Sequence, residues 1–196
     1  MQTFRELAER VAARGDRAVL SYEGRSFSGR EIVTEARRVA RALLIAGVTR
    51  GDRVCIWVPN RPEFVLVELA TTLIGAVFVP IQSRYGATEL GNILERAEPT
   101  ILLFQKSFLH VDLDAILQRV FPDIGEGRIG RVPSLRRLIS FDGSRHRGVM
   151  EWRTFLASAD ELTEADLDLA TAQVEPDDPA VCIFTSGTTG VPKGAM

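Results

Sequence analysis

The sequence has little of what marks several large classes of protein. It contains two cysteines and two histidines in 196 residues, and none of them are closely spaced in the way that zinc ligands are. No apolar run approaches the roughly 18 residues that a membrane-spanning helix needs. The first 14 residues mix Arg and Glu in an amphipathic pattern and have no apolar signal segment, so we expect a cytoplasmic protein.

The chain also lacks an excess of charge of either sign. Lys and Arg together number 24 against 26 Asp and Glu, which gives a net charge of -2. This balance offers no global attraction for nucleic acid or for an anionic membrane. Any recognition of phosphate must therefore be local.

The few cysteines and histidines are expected to be structural. Cys55 and Cys182 each lie within an apolar run, which predicts buried thiols instead of a disulfide framework. His110 and His146 stand alone in polar or mixed surroundings, which is typical of surface or satisfied histidines.

What is present is typical of a globular chain. Hydrophobic residues make up 45% of the sequence and charged residues 26%, too apolar a composition for disorder. The length suits one ordinary domain or two small ones.

The order of apolar segments predicts an α/β fold. After an opening helix over residues 4–12 and a hairpin turning at Glu23 and Gly24, Ser28 and Glu31 form a capping box for a second helix. Strands and helices then alternate, which favours a mostly parallel sheet with helices on both faces. The predicted strands cover residues 53–58, 76–81, 100–104, 135–141 and 180–184, and the predicted helices cover residues 62–73, a segment capped by Thr88, 111–121 and 151–157.

Three other features are interpreted as surface. Arg30, Arg37, Arg38 and Arg41 share the polar side of the second helix, where a solvated face is favoured over an anion site. Residues 122–133 and the acidic residues 159–179 interrupt the alternation and are predicted to be exposed connections, the second an exposed linker.

The stretch from Thr185 to Gly194 carries the chemistry. It follows an apolar strand, at the end where open α/β sheets bind ligands. Gly187 and Gly190 allow backbone N-H groups to turn toward a phosphate, and the Lys193 ammonium adds positive charge. The hydroxyl donors are those of Thr185, Ser186, Thr188 and Thr189.

Two alternatives are weaker. Gly, Thr and Pro also make ordinary flexible turns, but the preceding strand and the conjunction with Lys193 favour a phosphate site. The loop is not a Walker A motif, and no Gly-x-Gly-x-x-Gly occurs, which disfavours P-loop phosphotransferases and nicotinamide dehydrogenases.

Residues 184–194 resemble, position for position, the signature loop of the adenylate-forming superfamily of acyl-CoA synthetases, luciferases and peptide-synthetase adenylation domains. The segment from Gly47 to Val54, with Pro59-Asn60, Gly75-Ala76 and Pro80, is similar to the N-terminal subdomain of that family. Arg84-Tyr85 followed by residues 87–90 looks more like fatty-acid and related carboxylate CoA ligases than like amino-acid adenylation domains.

The resemblance implies a reaction of a carboxylate with ATP to give an acyl-adenylate, followed by acyl transfer to coenzyme A. It implies that Thr185, Ser186, Thr188, Thr189 and Lys193 contact the ATP phosphates while Gly187 and Gly190 shape the backbone. Lys193 is not the family's late catalytic lysine. That lysine, the adenine and ribose contacts and the Glu that helps to hold Mg²⁺ fall after the loop in the family.

We therefore expect residues 1–196 to form an N-terminal AMP-binding subdomain that does not complete adenylation by itself. Its incomplete apolar face would favour self-association. The alternative is a stand-alone, non-catalytic nucleotide-binding or interaction module on the same scaffold.

Overall fold

The computed structural model describes residues 3–185 and 193–196. The chain divides into two compact units. Unit one comprises Met1–Gly51, Asn60–Val77 and Leu156–Ala180, and unit two comprises Asp52–Pro59, Phe78–Phe155 and Val181–Met196.

The helices in chain order are α1 (Phe4–Ala12), α2 (Gly29–Ile45), α3 (Pro62–Leu73), α4 (Ala87–Ala97), α5 (Leu113–Val120), α6 (Trp152–Ala157) and α7 (Glu164–Thr171). The strands are β1 (Ala18–Tyr22), β2 (Arg25–Ser28), β3 (Arg53–Trp57), β4 (Val77–Ile81), β5 (Ile101–Phe104), β6 (Ser107–Phe108), β7 (Val111–Asp112), β8 (Arg137–Ser140), β9 (Val149–Glu151), β10 (Ile183–Thr185) and β11 (Lys193–Ala195).

Local sequence signals set the start of unit one. The Ser28 hydroxyl accepts from the Glu31 N-H at 3.2 Å, and the Glu31 carboxylate accepts from the Ser28 N-H at 2.7 Å, so the predicted capping box of α2 is confirmed. Strands β1 and β2 pair antiparallel around Glu23 and Gly24, whose φ angles are +48° and +78°. Positive φ at both central residues is what a tight two-residue hairpin requires.

One predicted cap is wrong. Helix α4 begins after Gly86, whose N-H donates to the Glu89 carboxylate at 3.1 Å. Thr88, the predicted cap, lies inside the first turn of the helix. The carboxylate of Glu89 reaches back over that turn and satisfies the free N-H, so no capping hydroxyl is needed.

Unit two contains a five-stranded parallel sheet in the order β4-β3-β5-β8-β9. Val54 pairs with Ile101, Leu102 with Leu138, and Leu138 with Val149 in parallel register. Every residue of β5 is buried, which explains the continuous apolar run in the sequence. The α/β class, with a parallel sheet flanked by helices, is as predicted.

Residues 159–179 are exposed over most of their length but are more than a linker. They contain α7, which begins at a capping box between Thr163 and Asp166, and they bury Ala159, Leu167 and Thr171. Residues 122–133 similarly contain a short 3-10 turn with a fully buried Ile124. The sequence did not reveal α7 for two reasons. Its composition is acidic, and its single fully buried leucine gives almost no helical periodicity.

The arginines of α2 explain how α7 is held. The Arg37 guanidinium donates to Glu164 and Asp168, each at 2.7 Å, and Arg41 lies 3.1 Å from Glu164. The side chains of Arg37 and Arg41 are only 28% and 17% exposed. This part of the α2 surface is therefore an internal ion-pair contact within unit one, and the predicted solvated face is wrong for these two residues.

Candidate functional site

The two arms of the predicted phosphate loop form an antiparallel hairpin. Ile183 pairs with Ala195, Phe184 with Gly194, and Thr185 with Lys193. The first and last residues of the predicted phosphate contacts, Thr185 and Lys193, thus stand opposite each other at the end of the strand pair that adjoins residues 186–192, and both are exposed. The structure thus places these two of the predicted residues at paired positions of neighbouring strands.

The other predicted contacts lie outside the described residues. They are Ser186, Gly187, Thr188, Thr189 and Gly190, and their assignment to the ATP phosphates stays a prediction.

The hairpin joins the sheet differently from the prediction. Residues 180–184 were expected to form one strand, but residues 183–185 pair with residues 193–195 instead. The connection to β4 is a single parallel bridge between Val181 and Phe78, with the Cys182 N-H donating to the Phe78 carbonyl at 2.9 Å. Residues 193–195, which follow the loop, are the pairing partner of residues 183–185. The run of apolar residues in the sequence indicates a strand but does not indicate its partner.

Gly194 has a packing role in this hairpin. A Cβ at this position would lie 3.0 Å from the Cys182 Sγ and 3.2 Å from the Phe184 ring. A side chain would therefore push β11 away from these two residues. The glycine allows the strand that carries Lys193 to approach closely.

The cysteines differ in burial. Cys55 is fully buried, as predicted, whereas Cys182 is only partly buried, so the prediction for Cys182 is wrong in degree. Its β10 neighbour Ile183 is 54% exposed, because the hairpin leaves one of its faces uncovered. Burial raises the pKa of both thiols, so neither is poised as a nucleophile at neutral pH.

A buried polar cluster in unit two was not predicted. The Asp114 carboxylate is fully buried and accepts from the Ser144 hydroxyl at 2.7 Å and from the Arg145 N-H and Nε-H at 3.1 and 3.0 Å. Nε2 of the buried His146 lies 3.2 Å from the Asp114 carbonyl oxygen. These contacts satisfy His146, as the sequence interpretation expected, and they hold the loop after β8 against the start of α5. No sequence motif marks this cluster.

Lys193 is the one charged residue of the predicted phosphate contacts. It is one of only two lysines in the sequence, the other being Lys106. A lysine ammonium can donate up to three hydrogen bonds to an anion, so the side chain is of a type that suits phosphate. Within residues 3–185 and 193–196, no group of three or more His, Cys, Asp or Glu side chains is arranged to hold a metal ion. In the same residues no helix has both the length and the apolar character to cross a membrane.

Comparisons with known proteins agree on one family. The sequence matches the family described as AMP-binding enzyme over residues 7–196. It is 31% identical over 202 residues to the putative acyl-CoA synthetase YngI of Bacillus subtilis, covering 99% of this chain and 37% of that protein. It is 39% identical over 160 residues to the 3-[(3aS,4S,7aS)-7a-methyl-1,5-dioxo-octahydro-1H-inden-4-yl]propanoyl:CoA ligase of Rhodococcus jostii, covering 82% of this chain and 30% of that protein.

A solved structure shows the same fold. The anthranilate CoA ligase AuaEII, in complex with anthranoyl-AMP, superimposes with a TM-score of 0.80 at 22% identity, over 98% of this chain and 34% of that one. The chain thus spans roughly a third of the length of these relatives. The sequence match over residues 7–196 and the shared fold lead to one conclusion: the chain belongs to the AMP-binding enzyme family.

Proposed function

We propose that this chain is the ATP phosphate-binding part of a carboxylate-CoA ligase that forms an acyl-adenylate and then an acyl thioester. The observation that carries the proposal is the hairpin register, which sets Thr185 opposite Lys193 at the mouth of the Gly-rich segment. The relatives named as an acyl-CoA synthetase and a CoA ligase support the class of reaction.

The chemistry explains the need for this loop. A carboxylate that attacks the α-phosphorus of ATP approaches a group of like charge, and pyrophosphate must leave. Fixed donors around the β- and γ-phosphates stabilise that developing charge. Thr185 and Lys193 supply a hydroxyl and an ammonium, and the hydroxyls of Ser186, Thr188 and Thr189 add to them. Gly187 and Gly190 leave room for the phosphate oxygens.

The acid, the metal and the acceptor complete the proposal. Mg²⁺ would accompany ATP, with its protein ligand outside these 196 residues, and coenzyme A would be the acceptor. A fatty acid is the favoured acid, on the strength of the Arg84-Tyr85 segment. Because the chain spans only about a third of its relatives, we expect the 196 residues alone to bind ATP without making acyl-CoA.

Binding can be tested by lysine protection, because the chain has only two lysines. The purified chain is acetylated with a limiting amine-reactive ester, with and without Mg-ATP, and each lysine is quantified by mass spectrometry. We expect ATP to protect Lys193 and to leave the exposed Lys106 unchanged. Equal labelling with and without ATP would refute the phosphate assignment.

Two variants and one activity assay complete the design. Lys193→Ala should weaken ATP binding about tenfold or more, as expected for loss of a charged phosphate contact, while Lys106→Ala should not change it. Pyrophosphate exchange with a panel of carboxylates tests the expected inactivity, and robust exchange by the 196-residue chain would contradict it.

A further inference from the structure

Unit one contains an apolar groove that has no part in the proposed nucleotide site. Residues of α1, β1, α2 and α3 line this groove, which has a volume of about 350 Å³. Leu7, Val11, Val19, Ile32 and Leu69 are among its apolar walls. This volume lies at the small end of the range of pockets that bind organic ligands.

The groove has a fixed floor and an open rim. Ile32 and Leu69, which belong to the core of unit one, are 4% and 7% exposed. Leu7 and Val19 at the rim are 45% and 42% exposed. The apolar surface of these rim side chains is exposed to water. A ligand with an apolar body would bury that surface, and this burial would contribute favourably to the free energy of binding.

Among the described residues that line the groove, Glu68 is the one with a charged side chain. Its carboxylate has no hydrogen bond or ion pair with any residue that the structure describes, and desolvation alone raises its pKa. Glu63, which precedes it on α3, shows the contrast. Desolvation also disfavours the Glu63 carboxylate, but a hydrogen bond of 2.9 Å from Arg61, together with the Glu63 main-chain N-H and nearby positive charge, outweighs that effect and lowers its pKa.

We propose that this groove binds a small amphipathic amine, whose ammonium group pairs with the Glu68 carboxylate while its alkyl or aryl body covers the apolar walls. A cation there would compensate a carboxylate that is desolvated and unpaired. A fatty carboxylate would meet Glu68 as a like charge, and a purely apolar molecule would bury the carboxylate further without pairing it.

Ligands of equal length but different head group test the choice. Hexylammonium, hexanol and hexanoate are titrated into the purified chain and followed by methyl NMR shifts of the groove residues. We expect hexylammonium to bind tightest and hexanoate weakest. Binding of hexanoate as tight as that of hexylammonium, or shifts spread over apolar residues outside the groove, would overturn the proposal.

Variants locate the interaction. Glu68→Gln keeps the shape of the side chain and should weaken hexylammonium about tenfold without changing the binding of hexanol. Glu35→Gln removes an exposed carboxylate elsewhere in unit one and should change neither. Unchanged hexylammonium affinity in Glu68→Gln would overturn the pairing.

Val19→Phe provides a second test that does not depend on Glu68. A ring at this exposed β-strand position should fill the groove from its rim and prevent binding of both hexylammonium and hexanol. Wild-type affinity in this variant would overturn the location. Lys193→Ala should bind hexylammonium normally, so failure of this proposal and failure of the proposed nucleotide site are distinguishable.

Discussion

Replacing Asp114 should reveal how strongly one buried carboxylate stabilises unit two. The carboxylate is fully buried and accepts three hydrogen bonds, one from the Ser144 hydroxyl and two from Arg145. Arg145 also bonds Asp112, the residue that caps α5. Loss of the carboxylate therefore removes the acceptor that these donors share.

The magnitude differs between two replacements. Asp114→Ala leaves a hydroxyl and a main-chain N-H without their acceptor, and breaking a buried charged pair costs about 3–5 kcal/mol. The lower end of that range applies because the Arg145 side chain is 50% exposed and can be rehydrated. Asp114→Asn keeps one carbonyl acceptor, and Ser144 can reverse its role and accept from the new amide. The asparagine variant loses mainly the negative charge that strengthens the hydrogen bonds from Arg145, which should lower the free energy of unfolding by about 1–2 kcal/mol.

Tryptophan fluorescence makes the assay specific to unit two, because both tryptophans, Trp57 and Trp152, lie there. Urea unfolding of the wild type and of both Asp114 variants would give the free energies of unfolding. Glu151→Gln, an exposed carboxylate of the same unit, is the control and should stay within about 0.5 kcal/mol of the wild type. The reasoning is refuted if Asp114→Ala also stays within that limit, or if the asparagine variant is the less stable of the two.

Two further predictions concern unit one. A Cβ on Gly29 would lie 2.1 Å from a main-chain carbonyl oxygen of α1, so Gly29→Ala should lower the free energy of unfolding by about 1–3 kcal/mol, measured by circular dichroism in urea. The control is Gly125→Ala in unit two, where a Cβ would have no atom within 4 Å and should be tolerated. Equal unfolding midpoints for the two variants would contradict this. Hydrogen bonds from Arg50 lower the pKa of Asp178, so the native chain binds a proton there less readily than the unfolded chain, in which aspartate titrates near pH 3.9. The stabilisation is complete above that pH and is lost as the pH falls through the lowered native pKa. Asp178→Asn should therefore reduce the free energy of unfolding at pH 7 and make it depend less on acid pH. The control Asp177→Asn, which replaces an exposed neighbour, should have neither effect. Parallel stability curves for the wild type and Asp178→Asn from pH 3 to 7 would count against the prediction.

Sequence patterns identified the elements whose causes are local. The capping box at Ser28 and Glu31, the Glu23-Gly24 turn and the opening of α3 at Pro62 depend on side chains within a few residues. The apolar strands β3 and β5 were evident because burial on both faces leaves a nearly continuous run. Local chemistry thus predicted most of the element order.

Features that depend on distant partners were missed. Helix α7 is held by Arg37, more than a hundred residues earlier, and its own composition resembles an exposed linker. The burial of Asp114 follows from a loop thirty residues later that brings Ser144 and Arg145 to it. The spacing of apolar residues within α7, or within the segment around Asp114, gives no indication of a contact with a distant residue.

The Gly-rich segment shows the same division. By itself the sequence determined the family and the residue types that suit phosphate, because residues 184–194 and the preceding apolar strand follow one another directly along the chain. Only the tertiary structure decided that the strands before and after the segment pair with each other, with Thr185 opposite Lys193 and Gly194 packed against Cys182. Pairing between two strands depends on where the chain returns in space, and that position is set by backbone hydrogen bonds and packing that the order of residues does not specify alone.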